Sequence, residues 1–287
     1  MARDYRIGIY EKAVPPTLTW EEKFRACREG GFDFMEMSID ESDEKLARLD
    51  WTDEEIAEIL AAEARTGFRI ESITFSAQRR FPMGTLKWRK EAWEIIEKVI
   101  EFAKKIGARI VMTQGYDVYY EETSDDASKE RFYEMLERAV LLAAANGVVL
   151  ATETMMDMEF MNTVEKLMIG VNRMNSPYYM AYPDLGNIYN CTDDVIGDIR
   201  KGSGHMIGAH LKETVPGKDR GIPYGEGQVD FPPHIAEFYR QGIRRYVAEF
   251  WWDGKDDWRD VVKHNRKFLD EQFDKAFALI AADADQK

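Results

Sequence analysis

The chain has 287 residues, with 53 Asp and Glu against 39 Lys and Arg, which gives a net charge of −14. So acidic a surface repels phosphate backbones, which excludes a general nucleic-acid-binding protein. The two cysteines, Cys27 and Cys191, lie far apart without a CxxC spacing, which excludes a disulfide scaffold or a cysteine zinc site and is typical of a reducing compartment.

Short apolar runs alternate with longer amphipathic runs from one end of the chain to the other. The apolar runs predict strands over Arg6–Tyr10, Phe32–Ile39, Arg69–Ser76, Arg109–Thr113, Val148–Thr154, Tyr178–Pro183, Met206–Leu211 and Arg245–Trp251. Each is followed by a segment with helical spacing of apolar residues, over Trp20–Glu29, Thr52–Thr66, Lys87–Lys105, Lys129–Ala145, Val164–Met174, Asp193–Arg200, Pro232–Gln241 and Trp258–Ala278. Eight successive βα units predict a single α/β domain over residues 1–287, a (β/α)8 TIM barrel. A doubly wound sheet is the alternative, but no GxGxxG follows the first strand and no P-loop is present.

Four potential metal ligands lie at or near the carboxyl ends of four consecutive predicted strands. Glu153 and Asp184 end the fifth and sixth strands, and His210 and Glu249 lie near the ends of the seventh and eighth. Barrel enzymes place their chemistry at this end, and neighbouring strands are about 4.8 Å apart. Three carboxylates and one imidazole therefore predict a site for Mn²⁺, Mg²⁺, Co²⁺ or Zn²⁺, without selecting among them. A structural network of buried charges is the alternative.

Basic residues follow the third and seventh predicted strands. Arg79 and Arg80 are adjacent, and two guanidinium groups on an acidic protein are suited to hold a phosphate. The alternative is that they form surface salt bridges. Lys218 and Arg220 lie in the loop after the seventh strand, a region that often binds phosphate in barrels.

Three further polar residues are candidates for contact with a substrate. Lys212 comes two residues after His210 and is expected at the same mouth. Asn187 follows Asp184 by three residues, where it would either bind a substrate hydroxyl or cap the next segment. Glu36, near the end of the second strand, is a candidate for the polar wall of the pocket.

Seven segments spread over nearly the whole chain form a characteristic set: Gly8–Ala13, Gly31–Ser38, Asp40–Asp43, Arg79–Pro82, Gly115–Tyr120, Tyr182–Asn187 and Gly225–Gly227. With these segments the chain resembles the L-ribulose-5-phosphate 3-epimerase (L-xylulose-5-phosphate 3-epimerase) family of ascorbate utilisation, within the xylose isomerase-like TIM barrels. Two departures lie near the expected pocket and bear on the substrate. Gln78 stands where the family commonly has His, and segment 153–162 is one residue longer than the family pattern.

The resemblance implies a divalent metal held by Glu153, Asp184, His210 and Glu249, and it implies that Glu153 and Glu249 form the acid/base pair. The expected reaction is epimerisation at C3 of a ketopentose phosphate, L-xylulose 5-phosphate to L-ribulose 5-phosphate. The metal would act as a Lewis acid that stabilises a cis-enediolate, while the two glutamates exchange protons on opposite faces of C3. The alternatives are a related sugar isomerase or ketohexose 3-epimerase, an inosose dehydratase, and a non-catalytic sugar-phosphate-binding protein.

The sequence also bears on location and assembly. The first residues lack the apolar core of a signal peptide, and the most apolar stretch, 139–151, is too short to span a bilayer. We therefore expect a soluble cytoplasmic protein without membrane or nucleic-acid partners. The resemblance implies a homodimer.

Overall fold

The computed structural model describes residues 3–285, in which strands and helices alternate. The strands are β1 (Arg6–Tyr10), β2 (Met35–Ile39), β3 (Ile70–Phe75), β4 (Ile110–Gln114), β5 (Val149–Glu153), β6 (Tyr179–Tyr182), β7 (Ala209–Leu211) and β8 (Arg245–Ala248). The helices are α1 (Trp20–Glu29), α2 (Asp43–Leu46), α3 (Asp53–Thr66), α4 (Arg89–Ile106), α5 (Asp126–Asn146), α6 (Val164–Met174), α7 (Leu185–Tyr189), α8 (Val195–Lys201), α9 (Phe231–Arg240) and α10 (Trp258–Asp285). The predicted domain, residues 1–287, extends beyond the described residues at both ends.

All strand pairs are parallel, and the strands follow the order β6-β5-β4-β3-β2-β1-β8-β7. Two single bridges, Ala181 to Met206 and Asp184 to His210, join the β6 side to the β7 side. The sheet therefore closes on itself, and this confirms the predicted (β/α)8 barrel. Within residues 3–285, no helix is both long enough and apolar enough to cross a membrane.

Local sequence accounts for where the helices begin and end. Thr19 and Thr52 start α1 and α3 with a capping box, in which the threonine hydroxyl accepts from the backbone N–H three residues later and the glutamate there reaches back. Gly107 and Gly147 end α4 and α5 at φ of 79° and 69°, a backbone region that residues with a Cβ rarely adopt. The apolar faces of these helices pack on the outside of the sheet in one continuous core.

Six strands are shorter than the sequence predicts: β3, β5 and β6 by one residue at each end, and β2, β7 and β8 by three residues at one end. β2 begins at Met35 rather than Phe32, β7 begins at Ala209 rather than Met206, and β8 ends at Ala248 rather than Trp251. In each case the apolar run continues beyond the hydrogen-bonded strand, because loop residues at the barrel ends are buried as well. The short helices α2 and α7 were not predicted, since four or five residues show no periodicity.

A group of buried charges fixes the connection after β1, and we call it the Glu11 cluster. The Glu11 carboxylate accepts hydrogen bonds from Lys23, Lys45 and Arg48 at 2.6–3.1 Å and from the backbone N–H of Ser38 at 3.0 Å. Burial acts to raise the pKa of Glu11, but the three cations lower it well below its ordinary value of 4.5. The cluster holds the turn that carries Lys12 to the carboxyl end of the barrel.

Candidate active site and metal centre

The four predicted ligands converge at the carboxyl end of the barrel. His210 Nδ1 lies 3.0 Å from Glu153 Oε1, 3.6 Å from Asp184 Oδ2 and 3.3 Å from Glu249 Oε2. One ligand atom from each of the four residues lies within 4.8 Å of the others, and all four side chains are buried. Their strands, β5 to β8, form one continuous arc of the barrel across the two closing bridges.

The donor set fits a divalent cation. Asp184 Oδ2 and Glu249 Oε2 are buried and accept no well-formed hydrogen bond, although Lys212 Nζ lies 3.0 Å and 3.3 Å away from them. Buried carboxylate oxygens without donors are costly, and a cation bound between them removes that cost. Three carboxylates with one imidazole form the mixed oxygen and nitrogen site that suits Mn²⁺, Mg²⁺, Co²⁺ or Zn²⁺.

The electrostatics of the cluster favour positive charge. Burial alone lowers the pKa of His210, but Glu36, Glu249 and Glu153 raise it well above its ordinary value. Burial raises the pKa of Asp184. Burial also acts to raise the pKa of Glu249, but Lys212 and His210 lower the pKa of that carboxyl well below its usual range. The cluster thus contains one lysine and one imidazole but several buried carboxylates. A divalent ion would balance the remaining negative charge.

Glu36 does not lie on the wall of the pocket, as the sequence predicted, but beneath His210. Its Oε1 is 2.6 Å from His210 Nε2, and the hydroxyls of Ser72, Thr74 and Tyr182 donate to the same carboxylate. Burial raises the pKa of Glu36, but its partners, led by His210, lower it below the ordinary value. Because the ionised carboxylate only accepts, Nε2 carries a proton and Nδ1 faces the other three ligands. A carboxylate in this position orients a metal-binding histidine.

Gln114 supports Glu153 and was not among the predicted residues. Its Nε2 donates to Glu153 Oε2 at 2.7 Å, and the two residues are register partners at the ends of β4 and β5. Gln78, the first departure from the family pattern, accepts from the backbone N–H of Gln114 at 2.8 Å and is buried. The place of Gln114 at a strand end, beside a predicted ligand, was the signal that could have identified it.

Lys212 and Asn187 form one wall of the pocket in front of the cluster. Lys212 Nζ donates to Asn187 Oδ1 at 2.9 Å, and Asn187 Nδ2 donates to the carbonyl of Thr154 at 2.8 Å. The backbone N–H of Asn187 donates to Asp184 Oδ1 at 2.7 Å, which caps α7. Asp184 is therefore the capping residue, while the Asn187 side chain is directed to the pocket.

The two adjacent arginines lie in different environments. Arg79 lines the pocket, together with Glu153 and Glu249. Arg80 is absent from that lining and points outward, where it donates to Asp43 at 2.6 Å and to a backbone carbonyl. The predicted pair of arginines on one phosphate is therefore corrected, because only Arg79 lines the pocket beside the ligand cluster.

The pocket also contains Lys12, from the turn after β1, and Trp251, which sequence reasoning did not assign to it. Arg220 lines it as well, from the loop after β7 that the sequence offered as a phosphate-binding region. The free space is about 40 Å³, much less than a pentulose phosphate needs. Residues that line this space must therefore move outward when a substrate enters, and Asp219 and Arg220 of the loop after β7 are among them.

Comparison with known proteins agrees with the fold. The pattern of the xylose isomerase-like TIM barrel family matches residues 24–272. A Salmonella paratyphi A protein named L-ribulose-5-phosphate 3-epimerase UlaE is 37% identical over 285 residues, which cover 98% of this chain and 100% of that one. The solved structure of an L-ribulose 3-epimerase has a TM-score of 0.76 at 20% identity, over 97% of both chains. A D-psicose 3-epimerase solved in the presence of D-fructose has a TM-score of 0.78 at 14% identity, over 94% of this chain and 99% of that one.

The family match spans most of the chain, and the relative is matched along its full length. The chain therefore belongs to the L-ribulose-5-phosphate 3-epimerase family of xylose isomerase-like TIM barrels and is an enzyme of the isomerase class.

Proposed function

We propose that this enzyme inverts the configuration at C3 of a ketopentose phosphate and interconverts L-xylulose 5-phosphate and L-ribulose 5-phosphate. The observation that carries the proposal is the placement of Glu153 and Glu249 at the two ends of the ligand arc, in one buried cluster with His210. The name of the full-length relative supports the choice of substrate. Inversion at one carbon requires two acid/base groups, one for each face of that carbon, and this cluster offers two glutamates for those roles.

The C3 proton lies next to the C2 ketone and is too weakly acidic for an unaided carboxylate. A divalent ion held by Glu153, Asp184, His210 and Glu249 would supply Lewis acidity that makes this proton easier to remove. One glutamate then takes the proton from one face of C3, and the other glutamate returns a proton to the opposite face. Gln114 holds the first carboxylate and Lys212 faces the second, so the two acids experience different environments.

The test uses Glu153→Gln and Glu249→Gln, each with its metal content measured. In D2O, we expect both variants to lose about 10²- to 10⁴-fold in epimerisation in both directions. Each variant keeps one of the two bases, so each should still exchange the C3 proton of only one epimer with solvent. Asp184→Asn is the matched control, because it removes a ligand that is not a base and should abolish exchange with both epimers.

Full activity in either glutamine variant would contradict the two-base scheme. Transfer of label between C1 and C2 would identify an aldose–ketose isomerase instead. Turnover of free ketoses with equal efficiency would favour a ketohexose or ketopentose 3-epimerase. The metal present after purification would identify the ion among Mn²⁺, Mg²⁺, Co²⁺ and Zn²⁺.

The homodimer and the cytoplasmic location stay predictions. Light scattering coupled to size-exclusion chromatography measures the first directly. A mass near twice the 33.3 kDa of the chain is the expected result.

A further inference from the structure

A separate cavity, of about 610 Å³, lies beside the ligand cluster. It is lined by the loops after β7 and β8 and by the first turns of α10. It meets the ligand cluster where Lys212 and Glu249 contribute to its lining. Its volume falls in the range of about 300–1,000 Å³ that small-molecule sites in proteins occupy.

Aromatic side chains form the apolar walls of this cavity. Four of them line it: Tyr224, Trp251, Trp252 and Trp258. The backbone N–H of Trp252 donates to the carbonyl of Lys12, and its indole N–H donates to the carbonyl of Lys255, both at 2.8 Å. The Tyr224 ring stacks on Phe268, with 5.4 Å between the ring centroids and 16° between the planes. These contacts hold the walls in place before a ligand enters.

The polar part of the lining is acidic. Six carboxylates of the described chain contribute to it: Glu213, Glu226, Glu249, Asp253, Asp257 and Asp260. The two lysines that line the cavity, Lys212 and Lys255, are already paired with carboxylates. Within residues 3–285, Glu226, Asp257 and Asp260 form no ion pair. The cavity therefore repels an anionic ligand, and its free carboxylates can accept hydrogen bonds from hydroxyl groups.

Asn265 supplies a buried amide without a partner. It lies on the same face of α10 as Trp258 and Val261, lines the cavity, and is only 5% exposed. Its side chain makes no hydrogen bond in the part of the chain that the structure describes, and its amide atoms are not sealed from solvent. The accessible part of the amide therefore faces the cavity. A ligand that offers both donors and acceptors would remove the cost of leaving this amide unpaired.

We propose that this cavity binds a sugar ring that carries no negative charge. Hydroxyl groups can both donate to and accept from the Asn265 amide, and they can donate to the free carboxylates. The C–H groups on one face of the ring would pack on the indoles, whose faces are electron-rich. A metal ion or an ammonium group would satisfy the carboxylates but leave the amide N–H donors unpaired. The site goes beyond the proposed function and does not depend on it.

The position of the cavity gives two sources for such a ring. Because Lys212 and Glu249 contact both the cavity and the ligand cluster, a ketose at the cluster can carry a second sugar unit into the cavity. A separate sugar is the other source. D-Glucose is the probe for a separate ring. Isomaltulose, in which a glucose unit is attached to position 6 of fructose, is the probe for a joined ring, and D-fructose is its matched ketose.

Titrations of the metal-loaded enzyme measure the charge preference. Tryptophan fluorescence reports binding, because three indoles line the cavity. D-Glucose and protonated D-glucosamine should bind, whereas D-glucuronate should bind at least about 10-fold more weakly. The double variant Glu226→Gln/Asp260→Asn, at two exposed positions, should bring D-glucuronate within about twofold of D-glucose. Saturable binding of spermidine without binding of D-glucose would identify a site for simple cations and overturn the proposal.

Asn265→Leu removes the amide and nearly keeps the volume of the side chain. We expect the affinity for D-glucose to fall about 10-fold, the effect of losing two neutral hydrogen bonds. Gln272→Leu is the matched control, because Gln272 is also a buried amide on α10 but donates to the carbonyl of Phe268, away from the cavity. The control should keep the affinity within about twofold, and urea unfolding checks that both variants are folded. Equal losses in the two variants would overturn the role of Asn265.

The comparison of isomaltulose with D-fructose identifies the source of the ring. Binding of isomaltulose that is about 10-fold tighter, with this advantage lost in Asn265→Leu, would show that the cavity takes the second unit of a ketose. Equal binding of the two, together with binding of D-glucose, would show a site for a separate sugar. Failure of D-glucose and isomaltulose to bind would overturn the proposal, while the assay with L-ribulose 5-phosphate would still report on the proposed function.

Discussion

Replacement of Glu36 by glutamine tests whether the cluster is a metal centre with an oriented histidine. Glu36 is fully buried, and its Oε1 lies 2.6 Å from His210 Nε2. Glutamine has the same shape, so the substitution changes the charge of the acceptor rather than the packing. The hydroxyls of Ser72 and Thr74 can rotate to accept from the new amide.

The expected magnitude follows from that single contact. A hydrogen bond to a charged group contributes about 1.5–3 kcal/mol and a neutral one about 0.5–1.5 kcal/mol. The difference of about 1–1.5 kcal/mol corresponds to a factor of about 5 to 13 in affinity. Loss of one negative charge close to the cation adds to this, and replacement of such outer partners typically costs about 10- to 100-fold. We therefore expect Glu36→Gln to weaken binding of Mn²⁺ by about 10- to 100-fold.

Competition with a chelator of known affinity measures the dissociation constant of Mn²⁺. Glu63→Gln is the matched control, because Glu63 is also buried but accepts from the backbone N–H of Ile70 at the start of β3, away from the cluster. Unchanged Mn²⁺ affinity in Glu36→Gln would refute the orienting role of Glu36. Equal losses in both variants would show that the effect is a general loss of stability.

Two further perturbations test the scaffold. In Gly115→Ala, the added Cβ would lie 2.6 Å from the carbonyl oxygen of Glu153. We therefore expect a loss of about 1–3 kcal/mol in unfolding free energy and weaker Mn²⁺ binding. Unchanged urea and Mn²⁺ titrations would contradict this expectation. Glu11→Gln leaves three buried cations without their counter-ion, and a loss of about 3–5 kcal/mol is expected. Because the pKa of Glu11 in the folded protein lies well below 4.5, wild-type stability is present above that pH and falls as the pH drops toward the folded pKa. Urea unfolding between pH 6 and about 3 should show this part of the acid sensitivity in the wild type and not in Glu11→Gln, and parallel pH profiles would contradict it.

The barrel and its ligand arc were predictable because both depend on periodicity and order. Apolar runs of strand length alternate with amphipathic helices, and parallel strands place their carboxyl ends at one rim. A charged residue at such a rim is recognisable when it interrupts an apolar strand, as Glu153 and Asp184 do. The candidate site could therefore be located from the sequence.

The depth of a side chain in the barrel, and the direction in which it points, could not be predicted from the sequence. The ladder between β2 and β3 shifts register between Met35 and Glu36, so the level of Glu36 in the barrel does not follow from counting residues. It lies one layer below the ligands and contacts His210 instead of a substrate. Arg79 and Arg80 show the same limit, because only Arg79 reaches the pocket beside the ligand cluster, whereas Arg80 pairs with Asp43.

The two halves of the barrel contribute to the candidate site in different ways, and only one of these contributions can be recognised in the sequence. Strands β5 to β8 supply the ligands, whose charges stand out against apolar neighbours. The first four strands and their loops supply support: Glu36 for His210, Gln114 for Glu153, and Lys12 with Arg79 for the wall of the pocket. Serine, threonine, glutamine and lysine at strand ends are ordinary in any barrel, so only three-dimensional contacts distinguish a supporting residue from a solvated one. Substitution of Lys12, Arg79 or Arg220 changes the wall of the pocket without touching a ligand, whereas substitution of Glu36 or Gln114 acts on a ligand through its hydrogen bond.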